Sequence, residues 1–201
     1  AASRGQDPLL MLLLITMVFA LVFLHELGHS LMARRFGIRV LDITFWPLGG
    51  MARMSEIPES PRIEGLVAAA GPAVNLVLAF LTAPIFFWSQ LAVRSGDATQ
   101  LVGNVVLPIS QSFLITNLLL GVFNLMPAFP MDGGRLLRAW LGRSGDWVRA
   151  TEQAVRVGRV FALAMIAVGF VFGLRGLNML PLVGLFVWVS GARELAVVRA
   201  R

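Results

Sequence analysis

The chain has 201 residues, 57% of them hydrophobic and 14% charged, with no cysteine and no tyrosine. So little charge cannot cover a water-soluble domain of this length, and the composition points to an all-α polytopic membrane protein. The net charge of +6 invites a nucleic-acid reading, but every basic residue is Arg and these lie in short loops between apolar segments, a pattern of membrane topology rather than of a DNA-binding face.

In chain order, the apolar segments predict about five spanning helices, over 8–36, 64–90, 104–125, 153–174 and 177–197. They read as one domain, 1–201, with a core over 8–140 and peripheral helices over 153–197. The first helix ends in His25-Glu26-Leu27-Gly28-His29. Residues four apart share a helix face, so the two imidazoles can converge on one cation. Glu26 projects to the side, where it could act as general base for a metal-bound water. From His25 to Arg34 is nine residues, or ~13 Å at about 1.5 Å each, which puts the motif inside the hydrocarbon zone. Ionisable groups at that depth are costly unless coordinated, paired or wetted, so their presence is a functional signal. These are the only histidines, and there is no thiolate to help them. A third ligand from this chain is expected to be a carboxylate.

The next segment, 39–46, alternates in the manner of a strand and is followed by Gly49-Gly50 and then Met51-Ala52-Arg53-Met54. This predicts a small β-hairpin at the cytoplasmic face, turning at the two glycines near the metal. Its free edge could hold an unwound substrate segment by β-augmentation. The plainer alternative is an interfacial loop. The second helix carries Ala70-Gly71-Pro72-Ala73-Val74-Asn75, where the asparagine alone would suit a hydrogen bond between helices. After the third comes Phe123-Asn124-Leu125-Met126-Pro127-Ala128-Phe129-Pro130-Met131-Asp132-Gly133-Gly134-Arg135. Its prolines and glycines would unwind a membrane helix, and irregular backbone at that depth is tolerated only where protein or a wet cavity satisfies it. Asp132 is therefore the carboxylate expected to meet the histidines. Other acidic residues, Glu64, Glu152 and Glu194 among them, read as loop charges, and Arg135 as an anchor at the membrane edge. The last two helices contain Gly158, Gly169, Gly173, Gly176 and Gly184 and are expected to shield or gate the core rather than supply chemistry.

Only Arg4, Arg94 and Arg175 fall on one side of the predicted spans, the remaining arginines on the other. The rich side should be cytoplasmic, with the C-terminus and the nearer approach to the metal site on that side.

Taken together, His25 to His29, Leu48-Gly49-Gly50-Met51-Ala52, Ala70 to Asn75 and Phe123 to Arg135 closely resemble the site-2 protease family of intramembrane zinc metalloproteases, in its compact form without a PDZ insertion. The resemblance covers about 20–140. It implies that His25, His29 and Asp132 bind Zn2+, that Glu26 activates water, and that Asn124 helps hold the substrate carbonyl or oxyanion. Asn75 matches a position proposed to contact substrate, and Gly49 and Gly50 fall in the segment expected to bind it. The function implied is hydrolysis of a peptide bond in or near a transmembrane segment of a substrate protein within the lipid bilayer. The rival reading is a non-hydrolytic membrane metal-binding or transport protein, which would spread ionisable groups along a pathway and show repeats. The sequence begins Ala-Ala without Met and reads as a fragment, with an upstream helix and C-terminal regulatory domains expected outside it. Nothing in it specifies an oligomeric state.

Overall fold

Among the described residues, five helices are long and apolar enough to cross a membrane. The computed structural model describes residues 8–46, 49–54, 58–173 and 179–200. Leu48, Gly176, and residues 174 and 177–178 where two expected spans end and begin, lie outside these. The spans are α1 (Pro8–Arg35), α2 (Pro61–Ser95), α3 (Leu107–Asn124), α5 (Trp147–Gly173) and α6 (Leu180–Arg199), with a short α4 (Asp132–Leu141) between the third and fourth.

Local chemistry accounts for where the helices depart from the hydropathy pattern. Helix α2 starts earlier than its apolar run because Pro61 stands in the first turn, where a missing N–H costs nothing. A π-helical turn, Val102–Val106, leads into α3. Helix α5 begins at Trp147 because the Asp146 carboxylate accepts a hydrogen bond from the Arg149 backbone N–H at 2.9 Å, an N-cap that starts the helix ahead of its apolar part.

Lipid is as apolar as leucine, so these helices gain little by burying large side chains against one another and pack instead through small and polar residues. The inward face of α3 is Ser110, Leu114, Asn117 and Gly121; that of α2 includes Val67, Ala68, Gly71, Pro72, Asn75 and Ala79. Phe80, Leu81, Leu119 and Phe170 face outward. Helix α1 packs on α2, α2 on α3 and α4, α4 on α5, and α5 on α6. The α5–α6 pair thus joins the rest through α4 and through Ala128, Phe129 and Met131 just before it, which pack on Ala154, Val155, Ala162 and Val187.

Strands β1 (Val40–Trp46) and β2 (Gly49–Met54) form an antiparallel hairpin, with Trp46 opposite Gly49, Phe45 opposite Gly50 and Ile43 opposite Ala52. The hairpin was expected, but its turn was placed too late. Gly49 and Gly50 are strand residues paired with the end of β1, since antiparallel strands need only a two-residue connection. Strand β2 lies against α1 more extensively than β1 does.

Helix α4 is fastened by a buried ion cluster. Arg138 donates from Nε to both carboxylate oxygens of Glu64 at 3.1 Å, from Nη2 to the same carboxylate, and from Nη1 to Glu194 at 2.6 Å. The rings of Phe129 and Trp147 lie 5.0 and 5.3 Å from its guanidinium carbon. Burial pushes the guanidinium pKa down, but the Glu64 and Glu194 carboxylates outweigh it and hold it above its ordinary value. Glu64 is 3% exposed. It is therefore not the loop charge that its Arg-containing surroundings suggested, because Arg138 meets it inside the bundle; Glu194, half-buried on α6, shares the same guanidinium.

Candidate metal centre

Helical spacing brings the two motif histidines together as expected. Their Nε2 atoms are 3.1 Å apart and the rings meet edge to face at 81°. Asp132 arrives from the other side of the bundle. Past Asn124 the chain leaves the helix through turns closed by Leu125, Met126, Ala128 and Met131 N–H groups, and it includes a cis Phe129-Pro130 bond. Ala128, Phe129 and Met131 in this stretch are buried, so protein covers the irregular backbone at membrane depth, as it must. Asp132 then opens α4, where the helix dipole favours a carboxylate. Its Oδ2 lies 3.3 Å from His25 Nε2 and 3.1 Å from His29 Nε2.

The donor set fits a metal of the zinc kind. His29 Nδ1 is 2.7 Å from the Val67 carbonyl oxygen and His25 Nδ1 is 2.5 Å from Asn75 Oδ1. Both oxygens can only accept, so both neutral imidazoles carry their proton on Nδ1, and neither has one on Nε2. The contacts around Asp132 then bring three lone-pair atoms together, the arrangement that a single cation would bridge. Donors at the usual zinc distances stand ~3.3 Å apart around a tetrahedral ion, close to the separations seen here. Two histidines and one carboxylate also leave a fourth position open, as in catalytic rather than structural zinc sites.

Two glycines make this approach possible. A Cβ on Gly28 would lie 2.8 Å from the Ala70 carbonyl oxygen, and one on Gly71 would lie 2.8 Å from His25 Nε2 and closer still to the His29 ring. The glycine of His25-Glu26-Leu27-Gly28-His29 and that of Ala70-Gly71-Pro72 thus let α1 and α2 touch at the metal. The Val67 carbonyl, also on α2, orients His29.

Glu26, half-buried, follows His25 by about 100° around α1. Asn124 ends α3 and donates from Nδ2 to the Leu120 carbonyl at 2.9 Å, which leaves its oxygen for another partner. Gly49 and Gly50 stand in β2, on the strand nearer α1. Asn75 is placed differently from the expected substrate contact. It is fully buried, its oxygen on His25 and its Nδ2 donating to Asn117 Oδ1 at 2.9 Å. Asn117 did not stand out in the sequence. Its signal was a polar side chain on the small-residue face of an otherwise apolar span.

An apolar helical bundle that brings two buried imidazoles and a partly buried carboxylate within one triangle defines a multi-pass membrane protein with three side chains able to hold a metal ion. The model for peptidase family M50 matches residues 13–107 and 91–167, and the chain belongs to that family. A zinc metalloprotease of Methanocaldococcus jannaschii is 34% identical over 186 residues, 92% of this chain and 50% of that protein. Rip3 of Mycobacterium tuberculosis is 38% identical over 183 residues, 89% of this chain and 44% of that protein. The chain thus spans about half the length of these curated relatives. Among solved structures, the site-2 protease from Methanocaldococcus jannaschii is similar with a TM-score of 0.61 and 30% identity, over 93% of this chain and 86% of that one.

Proposed function

We propose that this chain is the catalytic domain, 1–201, of an intramembrane zinc endopeptidase that hydrolyses a peptide bond in or near a transmembrane segment of another protein. One observation carries the reading: His25, His29 and Asp132, from the first span and from the turn after the third, meet in a buried triangle with Glu26 next to the first ligand. In this reading the core is 8–140 and the helices over 153–197 are peripheral. Zinc, when bound, lowers the pKa of the attacking water and polarises the scissile carbonyl. Glu26 takes the proton from that water and delivers it to the departing amine. Asn124 stands at the end of α3 and gives only one of its two amide hydrogens to the Leu120 carbonyl, which leaves the other as a donor for the substrate carbonyl or oxyanion. A peptide bond within a helix is shielded by its own hydrogen bonds, so substrate must be extended first, and the β2 edge around Gly49 and Gly50 is suited to hold it. The arginine-rich side is cytoplasmic, with the C-terminus there and the metal site nearer that face.

The deciding experiment compares wild type, Glu26→Gln and Asp132→Ala in detergent or vesicles, with zinc content measured beside cleavage of a membrane-protein substrate. Glu26→Gln should keep zinc and lose cleavage by about a hundredfold or more; Asp132→Ala should lose both. Normal turnover by Glu26→Gln, or zinc retained without Asp132, overturns the assignment.

A further inference from the structure

The geometry points to Asn75 and Asn117 as positioning residues that set the tautomer of His25 and so decide whether its Nε2 can bind metal. This rests on the reading of His25, His29 and Asp132 as the zinc ligands. The two histidines are oriented by different means. His29 is fixed by a main-chain carbonyl, that of Val67, which accepts and cannot donate. His25 leans on a side-chain amide, which offers an acceptor at one end and a donor at the other. If Asn75 were turned over, its NH2 would face His25 Nδ1 and favour the tautomer with the proton on Nε2, which has no lone pair for the metal.

What prevents this lies in the third helix. Asn117 Nδ2 donates to the Phe113 carbonyl, four residues back in α3, at 2.9 Å. That carbonyl can only accept, so the Asn117 amide has one permitted orientation, with Oδ1 toward Asn75. Oδ1 in turn requires the Asn75 NH2, and the Asn75 oxygen is thereby turned to His25 Nδ1. The chain of donors runs one way, from His25 on α1 through Asn75 on α2 to Asn117 and the α3 backbone. Both asparagines are fully buried, so water does not compete for these bonds. An acceptor opposite the free nitrogen of a metal-ligating imidazole fixes the ring and strengthens the ligand; here that acceptor is itself oriented by a residue that touches neither the histidine nor the metal.

The sequence makes the test direct, because its two histidines are the only ones. Protein grown with ring-labelled histidine, purified through a tag without histidine and stripped of metal, shows two imidazoles by nitrogen NMR at alkaline pH, each reporting which nitrogen is protonated. Wild type should show the proton on Nδ1 of both. In Asn117→Leu, which keeps the volume and removes the acceptor, one imidazole should move toward the Nε2–H form while the other stays. Zinc affinity, read by competition with a chelator, should fall about tenfold. Asn117→Asp should restore both readouts, because a carboxyl oxygen, charged or neutral, accepts from the Asn75 NH2 and so keeps the Asn75 oxygen on His25. A wild-type His25 with its proton on Nε2 overturns the inference with no variant needed. So does an Asn117→Leu protein whose tautomers are unchanged, including one whose affinity falls only through lost stability. Wild type that binds no zinc through its histidines would instead overturn the metal site itself.

Discussion

Gly71 shows how little room the metal centre leaves. Its missing side chain is the space the imidazoles occupy, and those rings cannot swing aside without breaking the bonds to Val67 and Asn75. Gly71→Ala should therefore fold and insert but bind zinc more weakly by about tenfold or more, as chelator competition would show; unchanged affinity would mean that the rings have freedom the geometry denies them. At this scale the sequence was legible where spacing alone dictates contact. His25 and His29 are four apart on a helix, and Asp132 was the acid with no ordinary explanation. It was not legible where meaning comes from a partner far along the chain. Asn117 is one polar residue in an apolar span until Asn75 lies opposite. Glu64 sits beside Arg62 in the sequence, yet its partner is Arg138, on a helix that the pattern did not announce.

Helix α4 went unread because its first residues, Asp132-Gly133-Gly134, are poor helix formers and its length is far short of a span. What holds it is tertiary: Arg138 pinned between Glu64 and Glu194. Removing one partner of a buried ion pair costs up to about 3–5 kcal/mol when the other charge is left alone, and less here because Glu194 still faces Arg138. Glu64→Leu should thus lower the thermal unfolding midpoint in detergent and weaken zinc binding together, since α4 begins with Asp132; a stability loss with undisturbed zinc affinity would show that Asp132 is placed independently of the cluster. The hairpin, by contrast, was visible as an alternation, and only its turn was misjudged. If the β2 edge carries substrate, a proline there removes a donor only at every second residue. Proline placed singly from Gly49 to Met54 should lower cleavage with a period of two while zinc content holds, and indifference to proline throughout would leave substrate binding to Asn124 and its surroundings.

For the whole molecule, the fold was readable as five apolar runs because a bilayer imposes length and hydropathy on each span, whereas the order of packing depends on small faces that hydropathy does not see. Orientation is testable in a chain without cysteine. Arg143→Cys should react with an impermeant thiol reagent only from the cytoplasmic side and Asp97→Cys only from the other; the reverse labelling would invert the proposed topology. The metal centre also has a history built into its connectivity. Its histidines leave the ribosome with the first helix, while its carboxylate follows the third, beyond the turns at 125–131. During synthesis α1 must enter the lipid with two bare imidazoles and without the acid that completes the set. On the proposed function, cutting cannot precede insertion: the ligand set stays incomplete until α1, α2 and α3 have all been made and the turns after α3 deliver Asp132.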